Sequence, residues 1–257
     1  MGHVHIIRDF ASPQEGHSRT VRIYTPDAYD FAPDHRFPVL YMHDGQNVFA
    51  HSESAIYDTW RANDTMEYLV AEGRTEPWLI VAVDSTYNRL AEYSPWDEPR
   101  SHVHAQGDAY VRFITDTLKP YVDSVYRTRT GAEWTAVMGS SLGGLMSLYL
   151  GWRHPELFGR IGGLSPSVMW GWDRFFSEWS RHTRHWSRIY LDAGLHETVD
   201  PVGYVMRYGE ATRDFYHHLK GLGYGDHELA LVLEPGGHHD EKAWQRRLPL
   251  AMNWLLG

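Results

Sequence analysis

The chain has 257 residues, 42% of them hydrophobic and 22% charged, the balance of a globular protein long enough to bury a large core. A formal charge of -9 argues against nucleic acid or an anionic membrane surface as the main partner. The absence of cysteine excludes disulfides, a thiol nucleophile and thiolate metal sites, while eleven tryptophans and sixteen tyrosines leave a surplus suited to a groove for rings or sugars.

Residues 1–10 are polar and histidine-containing, unlike a secretion signal, and no apolar run approaches a membrane span. The expected location is cytoplasmic unless a leader has been removed. Strands are predicted at 3–9 and 19–24, joined as an antiparallel edge hairpin by the turn chemistry of Ser12-Pro13-Gln14-Glu15-Gly16. Further strands are predicted at 39–43, 79–84, 134–139, 161–164, 189–193 and 228–233. They are short and almost continuously apolar, as parallel strands covered on both faces are. Helices are predicted at 59–72, 108–125, 142–153, 204–220 and 240–255. In 108–125 the apolar residues Tyr110, Phe113, Ile114, Leu118, Tyr121, Val122 and Val125 keep helical spacing. Asp108 is placed to cap that helix and Pro120 to kink it. The connections 44–58 and 85–106 are long and rich in aromatic and charged residues, as site-forming loops are. With no repeat, low-complexity tract or linker, the pattern predicts one α/β domain over 1–257: a mostly parallel sheet with helices on both faces.

The sharpest chemical signal is Gly139-Ser140-Ser141-Leu142-Gly143, a Gly-x-Ser-x-Gly string between a predicted strand and a predicted helix. That turn exposes the central hydroxyl, here Ser141, at the carboxyl edge of a sheet. A serine hydroxyl needs a base within hydrogen-bond reach, and on this scaffold the order is serine, acid, histidine. Strand 228–233 runs into Glu234-Pro235-Gly236-Gly237-His238-His239, so one histidine is the expected base. His239, immediately before the last helix, is favoured, with His238 as fallback. Strand 189–193 leads into Gly194-Leu195-His196-Glu197, making Glu197 the first choice of acid and Asp200 the second. Asp192 lies inside the strand and is less well aimed. Oxyanion donors are expected from the backbone of Leu142 and of Gly45 or Gln46. Candidate substrate contacts are Trp60, Arg89, Tyr93, Trp96, Trp170 and Trp172, taken from loops expected at the same sheet edge. The pairs His3/His5 and His102/His104 lack the carboxylate company of a metal site, so no metal and no cofactor are expected.

The strings Tyr41-Met42-His43-Asp44-Gly45-Gln46-Asn47-Val48-Phe49, Asn88-Arg89 with Glu92-Tyr93-Ser94-Pro95, and Gly139-Ser140-Ser141-Leu142-Gly143-Gly144 go further. So do Leu191-Asp192-Ala193-Gly194 with Glu197, and Gly236-Gly237 with His239, Glu241 and Trp244. Through them almost the entire chain resembles the Putative esterase family of α/β-hydrolases, which includes enterochelin, feruloyl and acetyl-xylan esterases. The resemblance implies Ser141 as nucleophile, His239 as base and Glu197 as acid; related sequences usually show one histidine where this chain has His238-His239. The expected function is a serine carboxylesterase acting on a small-molecule ester through an acyl-enzyme. The alternatives are an acyltransferase on the same residues or a non-catalytic ligand-binding protein on a hydrolase scaffold. The oligomeric state is not legible.

Overall fold

A computed structural model describes residues 2–55, 58–171, 174–181, 184–199 and 206–257. All eight expected strands form: β1 (His3–Ser12), β2 (His17–Thr25), β3 (Val39–His43), β4 (Leu79–Val83), β5 (Thr135–Ser140), β6 (Arg160–Leu164) and β7 (Arg188–Gly194), with the last, β10 (Leu229–Glu234), following a small ribbon. That ribbon, β8 (Thr198–Val199) against β9 (Met206–Arg207), is too short to leave a periodic signal in the sequence. The main sheet has the order β1-β2-β4-β3-β5-β6-β7-β10. The β1/β2 and β2/β4 pairs are antiparallel and all others parallel. This is the α/β-hydrolase fold.

Both faces of the sheet are covered, and the period of two decides which residue serves which face. In β3, Val39 and Tyr41 join one core, while Leu40 and Met42 join the other. The first core is closed by Leu145, Met146 and Leu148 of helix Leu142–Arg153, by Phe215 and Leu219 of helix Tyr208–Gly221, and by the helical stretch 107–125. The second is closed by Met66 and Leu69 of helix Ala62–Ala71 and by Trp244, Leu248 and Met252 of helix Glu241–Leu256. Each large apolar side chain so buried contributes roughly 1.5–3 kcal/mol.

One local expectation is corrected, and one helix departs from regular geometry. Asp108 does not cap its helix: Gln106 holds the cap position without a side-chain bond, and Asp108 instead accepts a hydrogen bond from the Tyr149 hydroxyl at 2.7 Å. Ahead of Pro120 the helix widens into a π segment, Phe113–Leu118, before continuing as Lys119–Val125. A proline lacks an N–H and its ring obstructs the carbonyl four residues back, so a wider register there relieves the conflict.

Candidate active site

Parallel strands bring the loops that follow β3, β5, β6, β7 and β10 to one edge of the sheet. Ser141 stands directly after β5 and has φ 56° and ψ -124°, a backbone conformation that strains a residue bearing a side chain. The strain is held by bonds on both sides: the Ser141 N–H donates to the Leu164 carbonyl at 3.0 Å, and its carbonyl accepts from Ser167 N–H at 3.0 Å. Of the glycines bracketing it, Gly139 is required by space. A β-carbon on Gly139 would lie 2.7 Å from the Gly143 backbone and 2.9 Å from the His43 ring.

His239 Nε2 lies 3.0 Å from Ser141 Oγ, and His239 Nδ1 lies 3.1 Å from Glu197 Oε2. The three residues expected from chain order are thus joined in one hydrogen-bonded series. His238 is exposed and directed elsewhere, its ring centroid 6.2 Å from that of His196. The difference is fixed by the next element: the Asp240 carboxylate accepts from Ala243 N–H at 2.8 Å, capping the last helix and pinning the residue before it. Around the imidazole, the Tyr208 ring lies at 4.0 Å, tilted by 33°, and the Trp244 ring lies nearly perpendicular to it at 4.9 Å. Asp200 lies outside the described residues. Asp192 is wholly buried beneath Glu197, and burial, opposed by the Arg247 charge, pushes its carboxyl up to about 7.

Glu197 is itself buried, and Oε1 accepts from Gly194 N–H (2.7 Å), Ser165 Oγ (2.8 Å) and Arg247 Nη1 (3.0 Å). Ser165 is the hub of this layer, since it also accepts from Trp244 Nε1 at 3.0 Å and from Arg247 Nη2 at 2.7 Å. Nearer Ser141, Ser167 Oγ lies 3.5 Å from Ser141 Oγ and 3.1 Å from the Tyr208 hydroxyl. Burial raises the pKa of that tyrosine, so its hydroxyl stays protonated. Sequence reasoning missed Ser165, Ser167, Tyr208 and Arg247. The two serines follow β6 in Leu164-Ser165-Pro166-Ser167, the loop beside the one carrying Ser141, which is the positional signal that could have found them.

The loop after β3 packs over the start of helix Leu142–Arg153. Gly45 needs to be glycine, but for the end of β4: a β-carbon there would lie 2.6 Å from Asp84 Oδ1 and 2.9 Å from Asp84 N. The Gln46 side chain is held by Ser85, donating through Nε2 to Ser85 Oγ at 2.8 Å and accepting from Ser85 N–H at 3.1 Å. Leu142 opens the helix behind Ser141.

The aromatic contacts foreseen for a substrate are largely interior. Trp60 is 1% exposed and donates its indole N–H to Glu241; Tyr93 is fully buried, its hydroxyl accepting from Asp44 N–H; Trp170 donates to Ser94 Oγ at 2.8 Å. Core packing claims these rings because the loops carrying them fold back onto the sheet. Arg89 is committed to Asp44 in a two-pronged ion pair (2.6 and 2.8 Å), which compensates the charge an anionic substrate would need. Trp96 remains half-buried, its ring beneath the Arg174 guanidinium at 5.5 Å in a cleft with Asp97, Asp108 and Gly171. Trp172 lies outside the described residues. Among the described residues one cluster has metal-type donors, Glu15, His17 and Glu92, and the Arg19 guanidinium already supplies its cation through pairs to both glutamates.

A sheet of this order, with a serine on the turn after its fifth strand, defines the α/β-hydrolase class. The sequence profile of the family described as Putative esterase matches residues 12–255, and the chain belongs to that family, the carboxylic ester hydrolases. Among similar sequences is the uncharacterized protein YbbA of Bacillus subtilis, 23% identical over 258 residues, with 96% of each chain covered. Among solved structures is a ferulic acid esterase of Anaeromyces mucronatus in complex with ferulic acid, at TM-score 0.72, 22% identity and coverage of 100% of this chain and 91% of that one. Another is the enterobactin esterase FES from Shigella flexneri, at TM-score 0.75, 22% identity and coverage of 98% of this chain and 58% of that one. At these identities the structural likeness is one of fold. No helix among the described residues is long and apolar enough to cross a membrane.

Proposed function

We propose that the protein is a serine carboxylesterase in which Ser141, His239 and Glu197 act as nucleophile, general base and orienting acid. The observation that carries this reading is the unbroken series from Ser141 Oγ through both ring nitrogens of His239 to Glu197. With Nδ1–H held by the carboxylate, Nε2 is the basic nitrogen and faces the hydroxyl. His239 takes the hydroxyl proton as Ser141 Oγ bonds to the ester carbonyl carbon, and the carbonyl π pair moves onto oxygen. The backbone N–H groups of Leu142 and Gln46, with Gly45 setting the turn, receive that oxyanion. Collapse of the tetrahedral centre breaks the ester C–O bond, and His239 returns the proton to the leaving alcohol. Water, deprotonated by His239, then attacks the acyl-enzyme and releases the acid. The substrate is a small-molecule ester.

The test is Ser141→Ala. Turnover of p-nitrophenyl acetate should fall by about 10³-fold or more, and labelling by a fluorophosphonate should disappear, with the melting temperature nearly unchanged. Turnover retained in that variant would show that another group carries the reaction. Acetyl, butyryl, feruloyl and trilactone esters, compared on the wild type, then identify the preferred acyl and alcohol parts.

A further inference from the structure

Arg247 lies on the last helix, 4% exposed, and faces three carboxyl groups, those of Asp192, Glu197 and Glu234. Its Nη1 is 3.0 Å from Glu197 Oε1 and 3.2 Å from Glu234 Oε2, its Nε is 3.2 Å from Asp192 Oδ1, and Nη2 donates to Ser165 Oγ at 2.7 Å. Glu234 has a second cation in Arg246 at 2.6 Å, and Tyr190 flanks Asp192. Asp192 and Glu197 are left to share one guanidinium. Fully buried Asp192, pushed up to about 7, keeps its proton over much of the range below neutrality, which leaves the Arg247 charge to Glu197. On the far side of Glu197 stands His239, enclosed by the uncharged rings of Tyr208 and Trp244.

We propose that Arg247 is a positioning residue for the reaction, holding Glu197 toward His239 and placing a fixed positive charge behind the His239–Glu197 pair. The proposal rests on the serine-esterase reading above. A planar fork is needed for the first task, because Glu197 Oε1 and Ser165 are gripped by different nitrogens. The second needs only the charge. Removing a buried cation near a histidine–carboxylate pair makes protonation of the pair easier, so the acidic limb of kcat/KM must move to higher pH.

The experiment follows kcat/KM against pH with p-nitrophenyl acetate for Arg247→Lys, Arg247→Met and Asp192→Asn/Arg247→Met, the last compared with Asp192→Asn. The double variant removes the cation together with a carboxyl it faces, so the fold is not left with both buried carboxyls unpaired. In Arg247→Met and in the double variant the acidic limb should rise by about one pH unit. Arg247→Lys should keep the limb near wild type while lowering kcat several-fold, the signature of charge retained and fork lost. Limbs that superimpose on their references, with activity reduced equally at every pH, would overturn the proposal and leave Arg247 a packing residue. Failure of the underlying reading would show separately, as turnover surviving Ser141→Ala.

Discussion

His238 and His239 are neighbours in the chain with opposite environments: one is exposed beside His196, the other lies between Tyr208 and Trp244 with both ring nitrogens engaged. His239→Ala should lower kcat/KM for p-nitrophenyl acetate by about 10³-fold, and His238→Ala should leave it within about twofold of wild type. Equal losses in the two variants would reverse the assignment. The sequence favours His239 with His238 as fallback, but which of them points inward rests on contacts with Ser141 and Glu197, 98 and 42 residues away. Three of the six substrate contacts expected from loops at that sheet edge, Trp60, Tyr93 and Trp170, are buried. A tryptophan in a loop looks the same in a sequence whether its ring faces a groove or the core.

At the scale of elements, the loops after β7 and β10 meet where Gly194 faces Gly237. A β-carbon on Gly194 would sit 2.3 Å from the Gly237 backbone, and those two loops carry Glu197 and His239. Gly194→Ala should therefore cost about 2–3 kcal/mol in urea unfolding and depress kcat/KM more than kcat/KM falls in any equally destabilised core variant. Gly221→Ala, at a helix end with nothing within 4 Å, is the control and should be neutral within about 1 kcal/mol. The strands that frame these loops were legible because apolar runs between turn residues have no other stable use in a chain of this composition. The ribbon β8/β9 and the π segment were not: each depends on tertiary contacts rather than on a repeating pattern.

His43, buried in the sheet, and Glu241, half-buried at the start of the last helix, give the stability of the whole molecule a pH dependence. Burial lowers His43 to about 4, so its contribution is present above the ordinary histidine value and is lost as pH falls toward 4. Glu241 behaves in the opposite sense. Burial, aided by Asp44, raises it to about 7, so its contribution is full below the ordinary carboxylate range and disappears as pH rises through 7. Glu241→Gln should accordingly gain about 2 kcal/mol relative to wild type on going from pH 5 to pH 8, measured by urea unfolding at both values. A difference independent of pH would mean that Glu241 is ionised throughout.

Local order along the chain determined the fold class, the eight strands of the main sheet, the nucleophile turn and the serine–acid–histidine sequence, since each rests on periodicity or on backbone demands that a few adjacent residues meet. Tertiary structure alone decided which histidine turns inward, which rings are spent on the core, and that Arg89 answers Asp44. It also decided that Ser165 and Arg247 stand behind Glu197. These outcomes depend on distances between side chains more than twenty residues apart, and no local pattern encodes a distance.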